Sequence, residues 1–540
     1  MPGHPGNANI FELDNRETIS KRTVIIGFIV AFSALALRII VANSFFDYLT
    51  DDAYIFMRYA ENFTSGNGLV YNIDEWVLGF SSPLYVFALS ILIWIFNGVD
   101  GPLLVTIFNL ILFFIFAVIL IRIFVRGEFK SWSIPILLLF YFSYVDASLN
   151  GMETTMFLLA IFASIYALLR HNIAITLILA IVCGLIRLEG FLFLFALLIY
   201  LLLIAKERIP LKGIIISAIL LAAYLIPTYL SYGTIIPHPI WAKSALLAKS
   251  SWVGESYSNF FENILEKHVL CVVAISVTSY KSLPDSAKLT IQIFSILTAI
   301  PFFVGLINSL YRKSVFVIIP LFYLFVLAFY CVGKPLMFNW YTIPTSMTFF
   351  ITVFIGLDSV TEKYRLRIFG YIQVLLIIIM CAWSTIVALP LRSYVNNTRG
   401  HSLVGVAEFI LNNFPDAKSL AAADIGILGY QSGLHIIDLA GLVTPSVLKI
   451  SNERGETYLQ DVALTENPSA IFIWWTDILK KDEIKVTGLR YKTFRSASDK
   501  QKFLEIYNEI ELVKYPGYHL YVRADLIPEK MTPLIIKHNL

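Results

Sequence analysis

Two adjacent carboxylates, Asp51 and Asp52, follow the first long apolar run of the chain. They open a segment, 53–62, whose apolar residues partly suit a helix lying on a surface. Acidic residues at a helix start often act as caps, so capping is the structural alternative for either residue. Capping needs only one side chain, however. A carboxylate at a membrane edge can also serve as general base on a sugar hydroxyl or bind a divalent metal.

Further charged residues stand in short turns between later apolar runs. Asp146, Asn150 and Glu153 lie in one such turn, where Glu153 could either cap the next helix or contact a ligand. Arg187 and Glu189 are two residues apart between two long apolar runs. Charges in a membrane are costly, so we expect these two either to pair with each other or to contact a substrate.

A proline-stiffened segment, 236–243, contains His238 and Lys243. Lys243 could extend toward lipid head groups, or its compact ammonium could contact a single phosphate. Acids, a cation and aromatic residues at one end of a helix bundle suit a polar acceptor and an amphiphile whose phosphate lies at head-group depth. A lipid-phosphate-linked sugar is such an amphiphile. The sequence shows no Gly-rich loop of the nucleotide-binding kind, as expected for a lipid-linked donor.

The composition places these residues in a membrane protein. The 540 residues are 58% hydrophobic and 15% charged, with a mean hydropathy of +0.74, whereas soluble domains contain roughly 25% charged residues. Apolar runs of about 20 residues recur, which is typical of a polytopic protein in a lipid bilayer. A soluble enzyme, a disordered chain and a nucleic-acid binder are therefore excluded. The cysteines form no CxxC pair and indicate neither a zinc site nor a disulfide scaffold.

We expect eleven membrane-spanning helices. They lie near 24–43, 102–124, 133–147, 153–169, 173–187, 191–205, 213–232, 289–310, 314–331, 340–357 and 368–389. One further apolar run, 81–97, is short, and hydropathy alone does not show whether it spans the bilayer.

The basic residues predict that 81–97 does not cross. Lys/Arg-rich short loops face the cytoplasm, and all the basic segments fall on one side only if 81–97 lies along the membrane. These segments are Arg16/Lys21/Arg22, Arg122/Arg126/Lys130, Arg170/His171, Lys206/Arg208/Lys212, Arg312/Lys313 and Lys363/Arg365/Arg367. The prediction is a cytoplasmic N-terminus, 1–23, a membrane domain, 24–390, and outer loops at 44–101 and 233–288.

Residues 391–540 have an ordinary charge content and contain short strand-like runs, such as 470–474 and 519–522. The stretch 404–413 has the pattern of an amphipathic helix. We predict a small α/β domain outside the cytoplasm.

Several longer motifs point to a family. The strongest are Asp51-Asp52-Ala53-Tyr54-Ile55-x-x-Arg58-Tyr59-Ala60-x-Asn62, Gly66-x-Gly68-Leu69-Val70-Tyr71-Asn72 and Glu75-x-Val77-x-Gly79-Phe80-Ser81-Ser82. Weaker ones are Gly151-Met152-Glu153-Thr154-Thr155, Arg187-Leu188-Glu189-Gly190, Ala423-Asp424-Ile425-Gly426-x-x-Gly429-Tyr430 and Asp438-Leu439-x-Gly441-Leu442. On these motifs the sequence resembles the GT-C superfamily of membrane glycosyltransferases that use polyprenyl-phosphate sugars. Within it, the chain looks most like mycobacterial arabinofuranosyltransferases that add terminal arabinose to cell-wall arabinan, and like bacterial pilin arabinosyltransferases.

The resemblance implies an all-α polytopic membrane domain with juxtamembrane helices in its first outer loop, followed by a periplasmic α/β domain. It makes Asp51 or Asp52 the catalytic base. It also implies a set of donor or substrate contacts, which are Tyr54, Arg58, Asn72, Glu153, Arg187, Glu189, His238, Lys243 and Tyr341.

The resulting hypothesis is a glycosyltransferase of the bacterial inner membrane. It would transfer arabinofuranose from decaprenyl or undecaprenyl phosphate to a glycan, lipid or protein acceptor on the periplasmic face. No soluble cofactor is implied, and a divalent cation at Asp51 and Asp52 stays open. The alternatives are a polar-lipid transporter or flippase, which commonly shows internal repeats that this sequence lacks, and an inactive glycan-binding membrane protein.

Overall fold

The computed structural model describes most of the chain. The described residues are 21–42, 49–126, 133–242, 260–333, 337–364, 368–393, 400–454, 458–473, 483–486, 489–492, 494, 496–515 and 517–536.

The chain up to residue 393 is helical. Its helices are α1 (Lys21–Ala42), α2 (Asp51–Thr64), α3 (Pro83–Ile95), α4 (Gly101–Arg126), α5 (Ser133–Phe140), α6 (Phe142–Ala147), α7 (Thr154–Leu169), α8 (Ile173–Ile186), α9 (Gly190–Ile199), α10 (Leu211–Tyr232), α11 (Phe260–Val273), α12 (Val277–Ser282), α13 (Asp285–Tyr311), α14 (Ile318–Gly333), α15 (Asn339–Tyr364) and α16 (Ile368–Ser393). By length and composition, six helices of the described part could cross a membrane: α4, α10, α13, α14 with the 3₁₀ turn before it, α15 and α16.

These six helices coincide with six of the expected spans, and the remaining expected spans correspond to shorter or interrupted apolar helices. The expected span 133–147 is not one helix. It is divided into α5 and α6 at Tyr141, whose backbone is extended. Hydropathy depends on residue types and not on backbone conformation, so it does not register such a break. Tyr141 is buried in the bundle together with the apolar residues around it. The number of crossings remains a prediction.

The segment between α1 and α4, which we call the first loop, contains two short helices. Helix α3 has 13 residues, so it is about 20 Å long, less than the roughly 30 Å of a bilayer core. It buries Tyr85 and Leu89 against the protein, while Ile91 and Trp94 are 57% and 72% exposed. Helix α3 is therefore too short to cross the hydrocarbon core by itself, and its exposed apolar face suits contact with lipid.

The C-terminal part contains a five-stranded mixed sheet with the strand order β2-β1-β3-β7-β6. Its elements are α17 (His401–Asn413), β1 (Ser419–Ala422), α18 (Gly426–Ser432), β2 (His435–Asp438), α19 (Pro445–Arg454), α20 (Tyr458–Glu466), β3 (Ala470–Ile473), β4 (Glu483–Val486), β5 (Leu489–Lys492), α21 (Ala497–Ile506), β6 (Tyr507–Ile510) and β7 (His519–Arg523). Strand β1 is parallel to β2 and β3, whereas β7 is antiparallel to β3 and β6. The two strand-like runs of the sequence are therefore β3 and β7.

Alternate residues of these strands enter two different cores, as the two-residue period of a strand requires. In β3, Phe472 belongs to a core shared with Tyr54 of the first loop. Ile471 belongs to a second core with Phe503 of α21. One face of the sheet is thus buried against the first loop, and the other face is covered by helices of the C-terminal part.

Candidate active site

Asp51 is the first residue of α2 and is 8% exposed. Its Oδ2 accepts a hydrogen bond from the backbone N–H of Gly426 at 3.0 Å, and its Oδ1 accepts one from Ile427 at 2.9 Å. These N–H groups stand at the start of α18, where an acceptor is favourable because they lack partners within the helix. Asp51 therefore caps a helix of the C-terminal part and not its own helix.

Asp52 lines a cavity of about 420 Å³, which includes the space at its open mouth. The wall combines residues of α2, of the first loop, of the ends of α7 and α15, and of the C-terminal part. They are Asp52, Ile55, Phe56, Gly79, Phe80, Ser81, Met152, Glu153, Pro239, Trp340, Tyr341 and Leu442. The two neighbouring aspartates thus lie in different surroundings.

Glu153 precedes α7, is 4% exposed and lines the same cavity. It is near enough to Asp52 for their negative charges to interact. It makes no side-chain cap to α7, and its buried Oε2 has no hydrogen-bond partner among the described residues. A buried carboxylate oxygen without a partner is costly, so Glu153 fits a ligand contact better than a cap.

Arg187 is the central cation of a buried ionic network beside the cavity. Its Nη2 lies 2.9 Å from Oε1 of Glu189, and its Nε lies 3.6 Å from Oε1 of Glu153. Its Nη1 donates to the carbonyl of Trp340 at 2.9 Å, and the guanidinium lies 5.0 Å from the ring centroid of Tyr341. Of the two alternatives for Arg187 and Glu189, the structure shows the ion pair, and the same cation orients Glu153.

Glu189 is also engaged within this network. Its Oε1 accepts a hydrogen bond from the hydroxyl of Tyr330 at 3.0 Å, in addition to the bond from Arg187. The network therefore joins the α8–α9 turn to α14 and to the beginning of α15.

Arg58 lies outside the cavity wall, in the contact between α2 and α18 that we call the α2–α18 interface. This interface also includes Asp51, Tyr71, Asn72 and Gly429. The buried guanidinium of Arg58 donates to the carbonyls of Tyr71 at 2.8 Å, of Leu434 at 2.7 Å and of Gly429. Hydrogen bonds from a charged donor to buried carbonyls are strong, so Arg58 fastens the first loop to the C-terminal part.

Asn72 completes an edge of the sheet. Its Nδ2 donates to the carbonyl of Ile436 at 2.9 Å, and its Oδ1 accepts the N–H of Ile436 at the same distance. Strand β2 is an edge strand, and the amide of Asn72 takes the place of a neighbouring strand there. Tyr54 belongs to the same region, since its ring centroid lies 5.4 Å from that of Tyr430. The structure thus places Tyr54, Arg58 and Asn72 between the two parts of the chain and not on the cavity wall.

Glu61 and Tyr430 form a further contact of this region, in which the hydroxyl of Tyr430 donates to Oε1 of Glu61. Burial raises the pKa of Glu61, and the hydrogen bond from Tyr430 only partly offsets this effect.

The expected ligands from the later loop are partly described. The backbone N–H of His238 donates to the carbonyl of Leu78 at 2.8 Å, and the next residue, Pro239, lines the cavity. Nε2 of His238 is buried without a hydrogen-bond partner in the described residues, and burial lowers the pKa of this imidazole. Lys243 lies outside the described residues. Tyr341, for which a substrate contact is predicted, lines the cavity.

The cavity wall includes residues that sequence reasoning did not select, among them Trp340, Phe80 and Leu442. Phe80 and Leu442 stood in family motifs, and that was the available signal. For metal binding, the described wall offers the carboxylates of Asp52 and Glu153. Across the described residues there is no group of three or more His, Cys, Asp or Glu placed to hold an ion.

A family model described as a domain of unknown function, DUF8728, matches residues 392–521. No curated protein sequence matches the chain. The crystal structure of ArnT from Cupriavidus metallidurans bound to undecaprenyl phosphate is similar, with a TM-score of 0.54, 11% identity, and coverage of 94% of this chain and 98% of that one. The apo oligosaccharyltransferase of Archaeoglobus fulgidus has a TM-score of 0.51 and 12% identity, covering 90% of this chain and 73% of that one.

Both of these structures are GT-C glycosyltransferases. At such low identity the likeness establishes that this chain shares the fold of these two structures.

Proposed function

We propose that this chain is a membrane glycosyltransferase that moves a sugar from a polyprenyl-phosphate donor to an acceptor hydroxyl. One observation carries the proposal: Asp52 and Glu153 line a single cavity at the ends of helices in a GT-C fold. The donor class is supported by the fold-level likeness to ArnT, whose structure contains undecaprenyl phosphate.

Asp52 acts as the general base in this proposal. The acceptor oxygen forms a bond to the anomeric carbon, and its proton passes to the carboxylate of Asp52. The bond between the anomeric carbon and the phosphate oxygen breaks, and polyprenyl phosphate leaves with the electron pair. Asp51 is less suited to this role because both of its oxygens accept backbone N–H groups of α18.

The remaining charges position the reactants. Arg187 is fully engaged with Glu153, Glu189 and the carbonyl of Trp340, so we assign it to holding Glu153 at the cavity. Lys243 then contacts the departing phosphate. Glu153 contacts the sugar, for which its Oε2, which has no hydrogen-bond partner in the described part of the chain, provides an acceptor. No step is routed through a metal ion.

The basic loops support an orientation. On the positive-inside rule we assign the cavity and residues 391–540 to the periplasmic side of a bacterial inner membrane. The short length and exposed apolar face of α3 agree with a helix that contacts lipid without crossing the bilayer. The sugar that we favour is arabinofuranose, on the family motifs of the first loop, and the acceptor is a glycan, lipid or protein.

The test is turnover with purified protein. The protein in detergent or vesicles is incubated with a panel of polyprenyl-phosphate sugars and an extract of cell-envelope acceptors, and released polyprenyl phosphate is measured. Release with a pentose donor, lost in Asp52→Asn, supports the proposal. Movement of the lipid across the vesicle membrane without release would instead support the flippase alternative.

A further inference from the structure

The turn after β2, residues 438–443, has an unusually fixed conformation. The carboxylate of Asp438 is fully buried. Its Oδ1 accepts the N–H of Ala440 at 2.7 Å, and its Oδ2 accepts those of Leu442 and Val443. One side chain therefore holds three backbone groups of the turn, which is the means by which Asp commonly fixes a turn.

Gly441 adds to this rigidity. Its φ is +69°, and a Cβ at this position would lie 2.7 Å from atoms of Leu448. Positive φ is costly for residues with a side chain, so the turn depends on glycine at this point.

The turn is pressed against the first loop. A Cβ at Gly79 would lie 2.6 Å from Cγ1 of Val443 and 3.4 Å from the carbonyl oxygen of Leu442. This close approach brings Leu442 to the cavity wall, whereas Leu439 of the same turn is 2% exposed in the core of the sheet. Among the described wall residues, Leu442 is the contribution of the C-terminal part.

We propose that Leu442 forms the acceptor side of the cavity and excludes water there, and that Asp438 positions it. This inference rests on the proposed function. A lipid-anchored donor must bring its phosphate from the membrane helices, on the side of Glu153, Trp340 and Tyr341. A glycan or protein acceptor would approach from the side of the C-terminal part, to which Leu442 belongs.

The chemistry explains why such a wall matters. Water that occupies the acceptor place would give its proton to Asp52 and its oxygen to the anomeric carbon. The products would be free sugar and polyprenyl phosphate. Exclusion of water from an active site is a general way to suppress such side reactions.

The main test is Leu442→Ala, with free sugar and transferred sugar measured in the same reaction. We expect the ratio of hydrolysis to transfer to rise roughly tenfold, the lower end for removing methylenes from a specificity pocket. The KM for the acceptor should rise, while the KM for the donor stays unchanged. Leu442→Met should retain the wild-type ratio because it conserves volume. The matched control Leu439→Ala alters the same turn away from the cavity and should also leave the ratio unchanged.

Asp438→Asn tests positioning. It should shift the ratio in the same direction as Leu442→Ala, and the double variant should shift it no further, because both changes act through one side chain. Additive shifts would contradict the assignment of Asp438.

A measurement without turnover separates this inference from the proposed function. Ser81 lines the cavity, so Ser81→Cys is treated with a membrane-impermeant thiol reagent in the presence and absence of Leu442→Ala. We expect Leu442→Ala to increase the labelling rate several-fold over the background of the native cysteines, three of which are buried. An unchanged labelling rate overturns the inference even if the enzyme transfers sugar. Faster labelling in a protein that releases no polyprenyl phosphate contradicts only the proposed function.

Discussion

At the scale of single residues, Asp51 and Asp52 show how two adjacent positions of one helix come to lie in different surroundings. Successive residues of a helix point about 100° apart, so two neighbouring carboxylates face different surroundings. Asp51 accepts hydrogen bonds from backbone N–H groups at the start of α18, and Asp52 lines the cavity. The type of side chain is the same, and the neighbours decide what each can do.

Asp52→Asn tests the catalytic role. It preserves the shape of the side chain and removes the proton acceptor, so we expect transfer to fall by about 10²- to 10⁴-fold, the usual contribution of general-base catalysis. Folding and donor binding should be retained, and the measurements are the single-turnover rate and the affinity for donor lipid.

Asp51→Ala is the matched comparison. It should lower stability by about 1 kcal/mol, as the loss of a helix cap does, while the rate per folded molecule stays much closer to wild type than that of Asp52→Asn. A near-wild-type rate for Asp52→Asn together with a large loss for Asp51→Ala would reverse the assignment.

Glu61 gives a prediction about pH. Because its pKa is raised on folding, its contribution to stability is fully present below the unfolded pKa and is lost as the pH rises through the folded pKa. We therefore expect the stability of the wild type relative to Glu61→Gln to decrease as the pH rises from about 4, near the ordinary pKa of Glu, through the raised pKa of the folded protein. Thermal unfolding across this range is the measurement. The exposed Glu505→Gln is the control, and an opposite slope would contradict the burial argument.

At the scale of elements, the two helices of the first loop, α2 and α3, differ in what they contact. Helix α2 buries most of its surface and contributes to both the cavity and the α2–α18 interface. Helix α3 exposes an apolar face that includes Ile91 and Trp94. The buried helix α2 fixes the site, and we expect the exposed apolar face of α3 to contact lipid.

The topology of α3 can be tested by cysteine labelling. If α3 lies along the surface, Val99→Cys, which follows α3, should react with an impermeant reagent added from the periplasmic side. Arg208→Cys, placed in a predicted cytoplasmic loop, should react only after the inner face is exposed. Labelling of Val99→Cys from the cytoplasmic side alone would place an additional crossing at 81–97 and reverse the proposed side of the cavity.

At the scale of the whole molecule, the C-terminal sheet and the first loop share a hydrophobic core and a polar interface. The cavity wall is formed by both parts of the chain, because it contains residues of the first loop together with Leu442 of the C-terminal part. The sheet is therefore part of the structure that shapes the site.

Arg58→Ala should weaken this connection. It leaves three buried carbonyls without their charged donor, and hydrogen bonds to charged groups are worth about 1.5–3 kcal/mol each. We expect a loss of several kcal/mol, seen as a lower unfolding temperature and as faster proteolytic release of the chain after residue 400. Arg208→Ala, at an exposed position, is the control. Unchanged proteolysis in Arg58→Ala would show that the hydrophobic core alone holds the two parts together.

The sequence by itself determined the class of the protein and much of its local structure. Apolar runs near bilayer length favour membrane helices because backbone groups in lipid must be satisfied within the segment. Strands β3 and β7 were likewise visible as short apolar runs between turn residues. The pairing of Arg187 with Glu189 could also be anticipated, since two charges so close together between apolar runs need partners.

Only the tertiary structure decided which motif residues face the cavity and which join the two parts of the chain. Arg58 appeared in the same motif as the aspartates and Asn72 in the next one, yet their partners, Gly429 and Ile436, lie more than 300 residues away. The break at Tyr141 was equally hidden, because its buried side chain continues the apolar pattern. Local pattern reports the periodicity and polarity of a segment, whereas the partners of a side chain depend on which distant segments packing brings against it.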